Sequence, residues 1–232
     1  MAHKKIVYVI VEGPSDETAL GVALSKVFDK ETVYVETTHG DITTRKGVDT
    51  SNIFSKIGDM VREYTKRNPY KKADFLKIIH LVDMDGAYIP DDRIVENTDA
   101  DRPIYSPTDI QTKSRNGIIF RNEQKRKNID KLCTCSQIWD IPYRVYFMSC
   151  NLDHVLYNKL NSSDDEKEND AYRFARKCKE NTIDFVNYIS KSEFSVMEGY
   201  KESWGFIKEE LHSLERHTNF GLCFQEGKDG RQ

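Results

Sequence analysis

Three short apolar runs, separated by two amphipathic segments, fill the first 86 residues and constrain the fold of this chain most strongly. Residues 5–11, 31–37 and 75–82 predict strands, and the first and third runs are apolar enough to be buried on both faces of a sheet. Between the runs, apolar residues recur at helical spacing after Ser15 and after Asn52. This β-α-β-α-β order is typical of a parallel sheet with right-handed crossovers.

The rest of the chain is less regular. Residues 87–116 are polar and show no period, which predicts a long loop, either a lid or binding loop or a disordered segment. A short helix is expected over 122–133 and a fourth strand over 143–148, with mostly helical sequence afterwards. We therefore expect an α/β domain at 1–150, with a mostly parallel sheet of about four strands flanked by helices. A helical C-terminal extension at 151–232 is expected to pack on it.

Composition excludes several classes of protein. The formal net charge of -3 excludes a chain that is basic all over, so binding to nucleic acid would need a local basic patch or bridging metal ions. No apolar run approaches the ~20 residues that cross a bilayer, and the N-terminal apolar run is too short for a signal peptide. The 5 scattered cysteines fit reduced thiols. We therefore expect a cytoplasmic protein without membrane partners.

Acidic residues follow two of the predicted strands directly. Glu12 comes after the first strand, Asp16 lies four residues further on, and Asp83 and Asp85 follow the third strand. Open parallel sheets bind ligands at the carboxyl ends of their strands, so these acids should share one edge. Partly desolvated carboxylates repel each other unless a cation neutralises them, and all-oxygen ligands favour Mg²⁺ or Mn²⁺. The alternative is that the acids are solvated helix caps. Gly86 would let a phosphate backbone approach closely.

The two acidic motifs together resemble a known domain. The pattern V-E-G-x-x-D-E-x-x-L at 11–20, followed by V-D-M-D-G at 82–86, is similar to the Toprim domain of topoisomerases, bacterial primases and OLD-family nucleases. The spacing of its first Glu and Asp looks most like the nuclease branch, where two metals are held. By this resemblance, the catalytic residues are Glu12, Asp83 and Asp85. The metal ligands implied are Glu12, Asp16, Asp83, Asp85 and, beyond the fourth strand, Asp153.

The resemblance implies a Rossmann-like Toprim fold for the α/β domain, and it implies a function as well. It predicts an Mg²⁺- or Mn²⁺-dependent nuclease that cleaves phosphodiester bonds of DNA or RNA. Small Toprim nucleases often act beside an ATPase in phage defence, so an ATPase partner is implied, and a homo-oligomer is left open. For Asp153 the alternative is that it only stabilises the dipole of the helix in whose first turn it lies.

A run of basic residues is the candidate surface for nucleic acid. Lysines and arginines concentrate between residues 113 and 131, with few acids among them. The residues expected to guide a nucleic-acid backbone are Lys113, Arg115, Arg121 and Lys125. The alternative is an ordinary solvated helix face.

Two other functions are open at this point. A haloacid-dehalogenase-like phosphatase would use Asp83 as nucleophile and Asp85 beside it. In such phosphatases the Asp-x-Asp-Gly motif normally lies at the start of the fold and is followed by Thr, whereas here it comes after the third strand and is followed by Ala87. A phosphatase also leaves Glu12 unexplained. The second alternative is a non-catalytic Toprim-like subunit that binds nucleic acid or a partner protein.

Overall fold

The computed structural model describes residues 4–225, and strands alternate with α-helices over residues 6–83. The strands are β1 (Ile6–Val11), β2 (Thr32–Thr37), β3 (Phe75–Asp83), β4 (Ile94–Glu96), β5 (Ile104–Tyr105), β6 (Ile110–Thr112), β7 (Gln137–Ile138) and β8 (Ile141–Met148). The helices are α1 (Pro14–Val27), α2 (Ile53–Arg67), α3 (Arg115–Cys133), α4 (Leu152–Tyr157), α5 (Asp164–Lys179), α6 (Phe185–Lys191) and α7 (Tyr200–Phe206).

The main sheet confirms the predicted α/β class. Its five strands lie in the order β2-β1-β3-β8-β7, and the first four are parallel. The fifth, β7, pairs antiparallel with β8 and consists of two residues, too short to show a period in the sequence. The strand order places β1 and β3 side by side at the centre, so that their carboxyl ends open at one edge.

Residues of β1 alternate between two hydrophobic cores, one on each face of the sheet. Val7, Val9 and Val11 pack in a core with residues of α1, α4, α5 and α6. The side chains between them, such as Tyr8, pack in a second core with residues of α2, α3 and α7. Every residue of β1 is at most 2% exposed, which explains why this strand is an unbroken apolar run.

The segment 87–116, which is predicted as a long loop, contains regular structure. It carries a small second sheet in the order β4-β6-β5, with an apolar cluster of its own around Ile94, Ile110 and Leu214. These strands have two or three residues each, and segments so short show no readable alternation. Helix α3 follows at once, because Ser114 accepts a hydrogen bond from the Gly117 amide and caps it.

Gly86 has a packing role that differs from the expected one. Its φ is +66°, and a Cβ there would lie 2.6 Å from Leu214 Cδ2 and 2.9 Å from Ile110 Cδ1. The residue is buried, so its missing side chain makes room for the second sheet rather than for a ligand.

The C-terminal segment packs back on the α/β domain. Helix α5 begins with a capping box formed by Ser163 and Glu166, and it packs against α1. Further along, Thr218 forms an antiparallel bridge with Met148 at the end of β8. Within residues 4–225, none of the helices combines the length and apolar composition needed to cross a bilayer.

Candidate acidic active site

Glu12 and Asp83 meet at the carboxyl ends of β1 and β3. Glu12 Oε1 accepts a hydrogen bond of 3.3 Å from the backbone amide of Asp83. Asp83 Oδ1 in turn accepts one of 3.1 Å from the amide of Leu152, the first residue of α4. Two strand ends and one helix start therefore bring Glu12 and Asp83 together at one edge of the sheet.

A cleft of about 240 Å³ opens in front of these two residues. Asp16 lies in the first turn of α1, where its Oδ2 accepts a 2.9 Å hydrogen bond from the Gly13 amide. Asp153 lies in the first turn of α4 and is 6% exposed. The charged side chains that line the cleft are Glu12, Asp16, Asp83, Asp153 and Lys167.

Asp85 does not line this cleft. Its Oδ2 lies 2.5 Å from Nζ of Lys125, whose side chain is 0% exposed, and the same ammonium lies 2.8 Å from Asp41 Oδ2. Asp85 has a φ of +47°, and its amide donates to the Cys150 carbonyl at 2.8 Å. The turn after β3 therefore directs Asp83 and Asp85 to different partners.

Burial and mutual repulsion act strongly on the carboxylates. Burial, and then the charge of Asp41, raises the pKa of Glu12 well above its ordinary value. Burial, and then the charge of Glu12, does the same to the pKa of Asp83. Burial, with a contribution from Asp153, raises the pKa of Asp16 to about 6. The positive charges near the cleft therefore do not offset the burial and mutual repulsion of its carboxyl groups.

The donor atoms suit a hard dication, although no complete ligand cage is formed in advance. Among residues 4–225, no group of three or more His, Cys, Asp or Glu side chains is arranged to hold a metal ion. Mg²⁺ commonly keeps several waters and binds proteins through one or two carboxylates plus substrate phosphates. Glu12 and Asp83 line the same cleft and could supply one carboxylate each to such an ion.

The predicted nucleic-acid residues have intramolecular partners, and one of them is in the interior. Lys125 is fully buried, so it cannot belong to a surface patch, because the turn of α3 that carries it faces the strand ends. Arg121 donates to the Asp85 carbonyl and to Tyr105 Oη, and Arg115 donates to the carbonyls of Asp91 and Ile94. The side chain of Lys113 stays 52% exposed, although it pairs with Asp101.

Two charged residues of this region were missing from the sequence-based site. Asp41 follows β2, and its position after a predicted strand was the available signal. Lys167 lies on α5, with Nζ 3.6 Å from Asp153 Oδ2, and only the packing of α5 on α1 brings it to the cleft. No local pattern in the sequence indicates that approach.

No protein-family model, no curated protein and no solved structure is significantly similar to this chain. Its function must therefore be argued from the acidic cleft and the residues around it.

Proposed function

We propose that this chain is a Toprim-like, Mg²⁺- or Mn²⁺-dependent nuclease that hydrolyses phosphodiester bonds of DNA or RNA at the acidic cleft. The observation that carries the proposal is the 3.3 Å contact between Glu12 Oε1 and the Asp83 amide. It joins the acid after the first strand to the acid after the third, at the sheet edge where open parallel sheets bind their ligands.

Glu12 and Asp83 would hold the metal ion, with Asp16 and Asp153 beside them. When bound, such an ion lowers the pKa of a coordinated water and stabilises the charge that develops on the phosphate oxygens. Raised pKa values support this assignment, because carboxylates that repel each other gain most from a cation.

The remaining parts of the cleft orient these groups. The Asp83 amide holds the Glu12 carboxylate, and the Leu152 amide holds that of Asp83, so neither side chain must reorganise to meet a substrate. Lys167 supplies a positive charge at the rim, where it would attract a phosphate.

The test is cleavage of supercoiled plasmid and of an RNA transcript in Mg²⁺ or Mn²⁺, with EDTA as the metal-free control. The proposal expects Glu12→Gln and Asp83→Asn each to reduce cleavage by about 100-fold or more. Asp59→Asn, which changes an exposed acid on α2, is the matched control and should retain activity. Cleavage that persists in both cleft variants would contradict the proposal.

The same experiment separates the two alternatives. Turnover of para-nitrophenyl phosphate with intact polymers would favour the phosphatase, although the Lys125 ammonium at 2.5 Å already engages the Asp85 carboxylate that this chemistry needs free. Binding of nucleic acid without cleavage under all conditions would favour a non-catalytic subunit that acts with a partner such as an ATPase.

A further inference from the structure

Lys125 lies in an unusual place for a lysine. Its side chain is 0% exposed, and its ammonium contacts Asp85 and Asp41 at 2.5 and 2.8 Å. A buried ammonium with two carboxylates at ion-pair distance is a built-in positive charge, and it lies behind the acidic cleft.

Hydrogen bonds from α3, one turn before and one turn after Lys125, hold this part of the helix in place. Asn122, one turn before Lys125, donates to the Gly86 carbonyl at 3.3 Å. Asn128, one turn after it, donates to the Thr43 carbonyl at 2.6 Å. All three side chains are buried, so this face of α3 joins the turn after β3 to the turn after β2.

Asp41 has little capacity left for another ligand. Its Oδ1 accepts hydrogen bonds from the amide and hydroxyl of Thr43, at 2.7 and 2.5 Å. Its Oδ2 accepts one of 2.9 Å from the Thr44 hydroxyl, besides the contact with Lys125. A dication at Asp41 would have to displace these donors and then lie beside a buried ammonium.

We infer that Lys125 takes the place of a second metal ion, so that the chain binds one dication, at Glu12 and Asp83, rather than the two that its resemblance to the nuclease branch implies. This inference rests on the proposed function, because it assumes that the cleft binds a metal. The ammonium neutralises Asp41 and Asp85 without any ion from solution, and Coulomb repulsion at this short range disfavours a dication beside it.

The test is the number of Mn²⁺ ions bound per chain, measured by the loss of the free-ion signal in electron paramagnetic resonance. Wild-type protein should bind one ion, and Glu12→Gln should bind none. Two ions on the wild type would overturn the inference and leave the proposed function standing. No ion on the wild type would overturn the metal-dependent function and the inference with it.

Variants at Lys125 sharpen the result. Lys125→Met removes the internal charge and should raise the count to two, whereas Lys125→Arg should keep it at one. If Lys125→Met fails to fold, Asp85→Asn provides the second test, because the inference expects it still to bind one ion. A count of one for a folded Lys125→Met protein, or of none for folded Asp85→Asn, would contradict the inference.

Discussion

Glu12 Oε1 lies 3.3 Å from the backbone amide of Asp83, although the two residues are 71 positions apart in the chain. The contact exists because β1 and β3 are parallel neighbours that end at the same edge. It places two half-buried carboxyl groups where each raises the energy of the other's charge. Such an arrangement costs stability, which is common at functional sites.

Replacing Glu12 with glutamine should therefore separate stability from activity. Glu12→Gln keeps an oxygen for the Asp83 amide but removes a carboxyl group that burial and its acidic neighbours disfavour, so the free energy of unfolding should rise by about 1 kcal/mol. Phosphodiester cleavage should fall by about 100-fold. Urea denaturation and the plasmid assay measure the two effects, with Asp59→Asn as control. A clear loss of stability would mean that Glu12 is a structural residue.

Lys125 should be among the residues on which folding depends most. Lys125→Met leaves Asp41 and Asp85 without their buried cation, and breaking a buried ion pair on one side typically costs about 3–5 kcal/mol. The matched control is Lys127→Met, two residues along the same helix, where an exposed pair with Glu123 is lost at a cost of about 0.5 kcal/mol or less. Urea denaturation of both variants measures the loss in the free energy of unfolding. Equal losses in the two variants would contradict the prediction.

The site was partly predictable, and Lys125 shows where prediction from sequence fails. Glu12, Asp16 and Asp83 follow or lie close to long apolar runs, and the parallel pattern brings such strand ends together. A basic run does not reveal which turn of its helix faces inward, so Lys125 was assigned to the surface. Lys167 reaches the cleft through the packing of α5 on α1, a long-range contact that no local period encodes.

The fold, too, was predictable where a local sequence pattern determines an element and not where long-range contacts do. The buried strands β1 and β3 are long enough to show their pattern, whereas the strands of the second sheet have two or three residues. The pairing of these short strands depends on neighbours far away in the chain, such as Leu214 beside Ile110. Sequence periodicity carries no information about such contacts.

The raised pKa of Asp16 predicts a specific dependence of stability on pH. Its value is about 6 in the folded chain against an ordinary 3.8, so the folded state binds more protons between these pH values. Stability contributed by this group therefore falls as pH rises from about 4 to about 6. Asp16→Asn has no carboxyl group to titrate at this position. The free energy of unfolding of the variant should therefore rise relative to that of wild type between pH 4 and pH 6, by up to about 3 kcal/mol.

Urea denaturation in metal-free buffer at pH 4 and pH 7 measures this difference. Asp29→Asn, which changes an exposed acid just after α1, is the control for the loss of a surface carboxyl group. If Asp16→Asn behaves like this control, the carboxyl group is not held in a repulsive, buried setting.

A pair of reciprocal hydrogen bonds should hold the second sheet to the segment before α5. The Tyr105 amide donates to Asn161 Oδ1, and Asn161 Nδ2 donates to the Tyr105 carbonyl, both at 2.8 Å. Asn161→Gly removes both bonds and tolerates the local φ of +60°. At about 1 kcal/mol for each bond, hydrogen exchange at the Tyr105 amide should accelerate by about 10- to 30-fold.

Asn158→Gly is the matched control for this prediction. Asn158 has a similar φ of +56° and lies in the same connection, but it makes no contact with Tyr105 among the described side-chain hydrogen bonds. Exchange at Tyr105 should keep its wild-type rate in that variant. Equal acceleration in both variants would show that backbone flexibility of the connection, rather than the reciprocal bonds, controls the second sheet.

Metal binding by Glu12 and Asp83 can be observed in a crystal of the wild-type chain that is soaked in Mn²⁺ and measured at the manganese absorption edge. We expect one anomalous peak in the acidic cleft, within coordinating distance of carboxylate oxygens of both Glu12 and Asp83, with Lys125 still between Asp41 and Asp85. A cleft without a peak at saturating Mn²⁺, or a peak that contacts neither of the two carboxylates, would contradict this expectation.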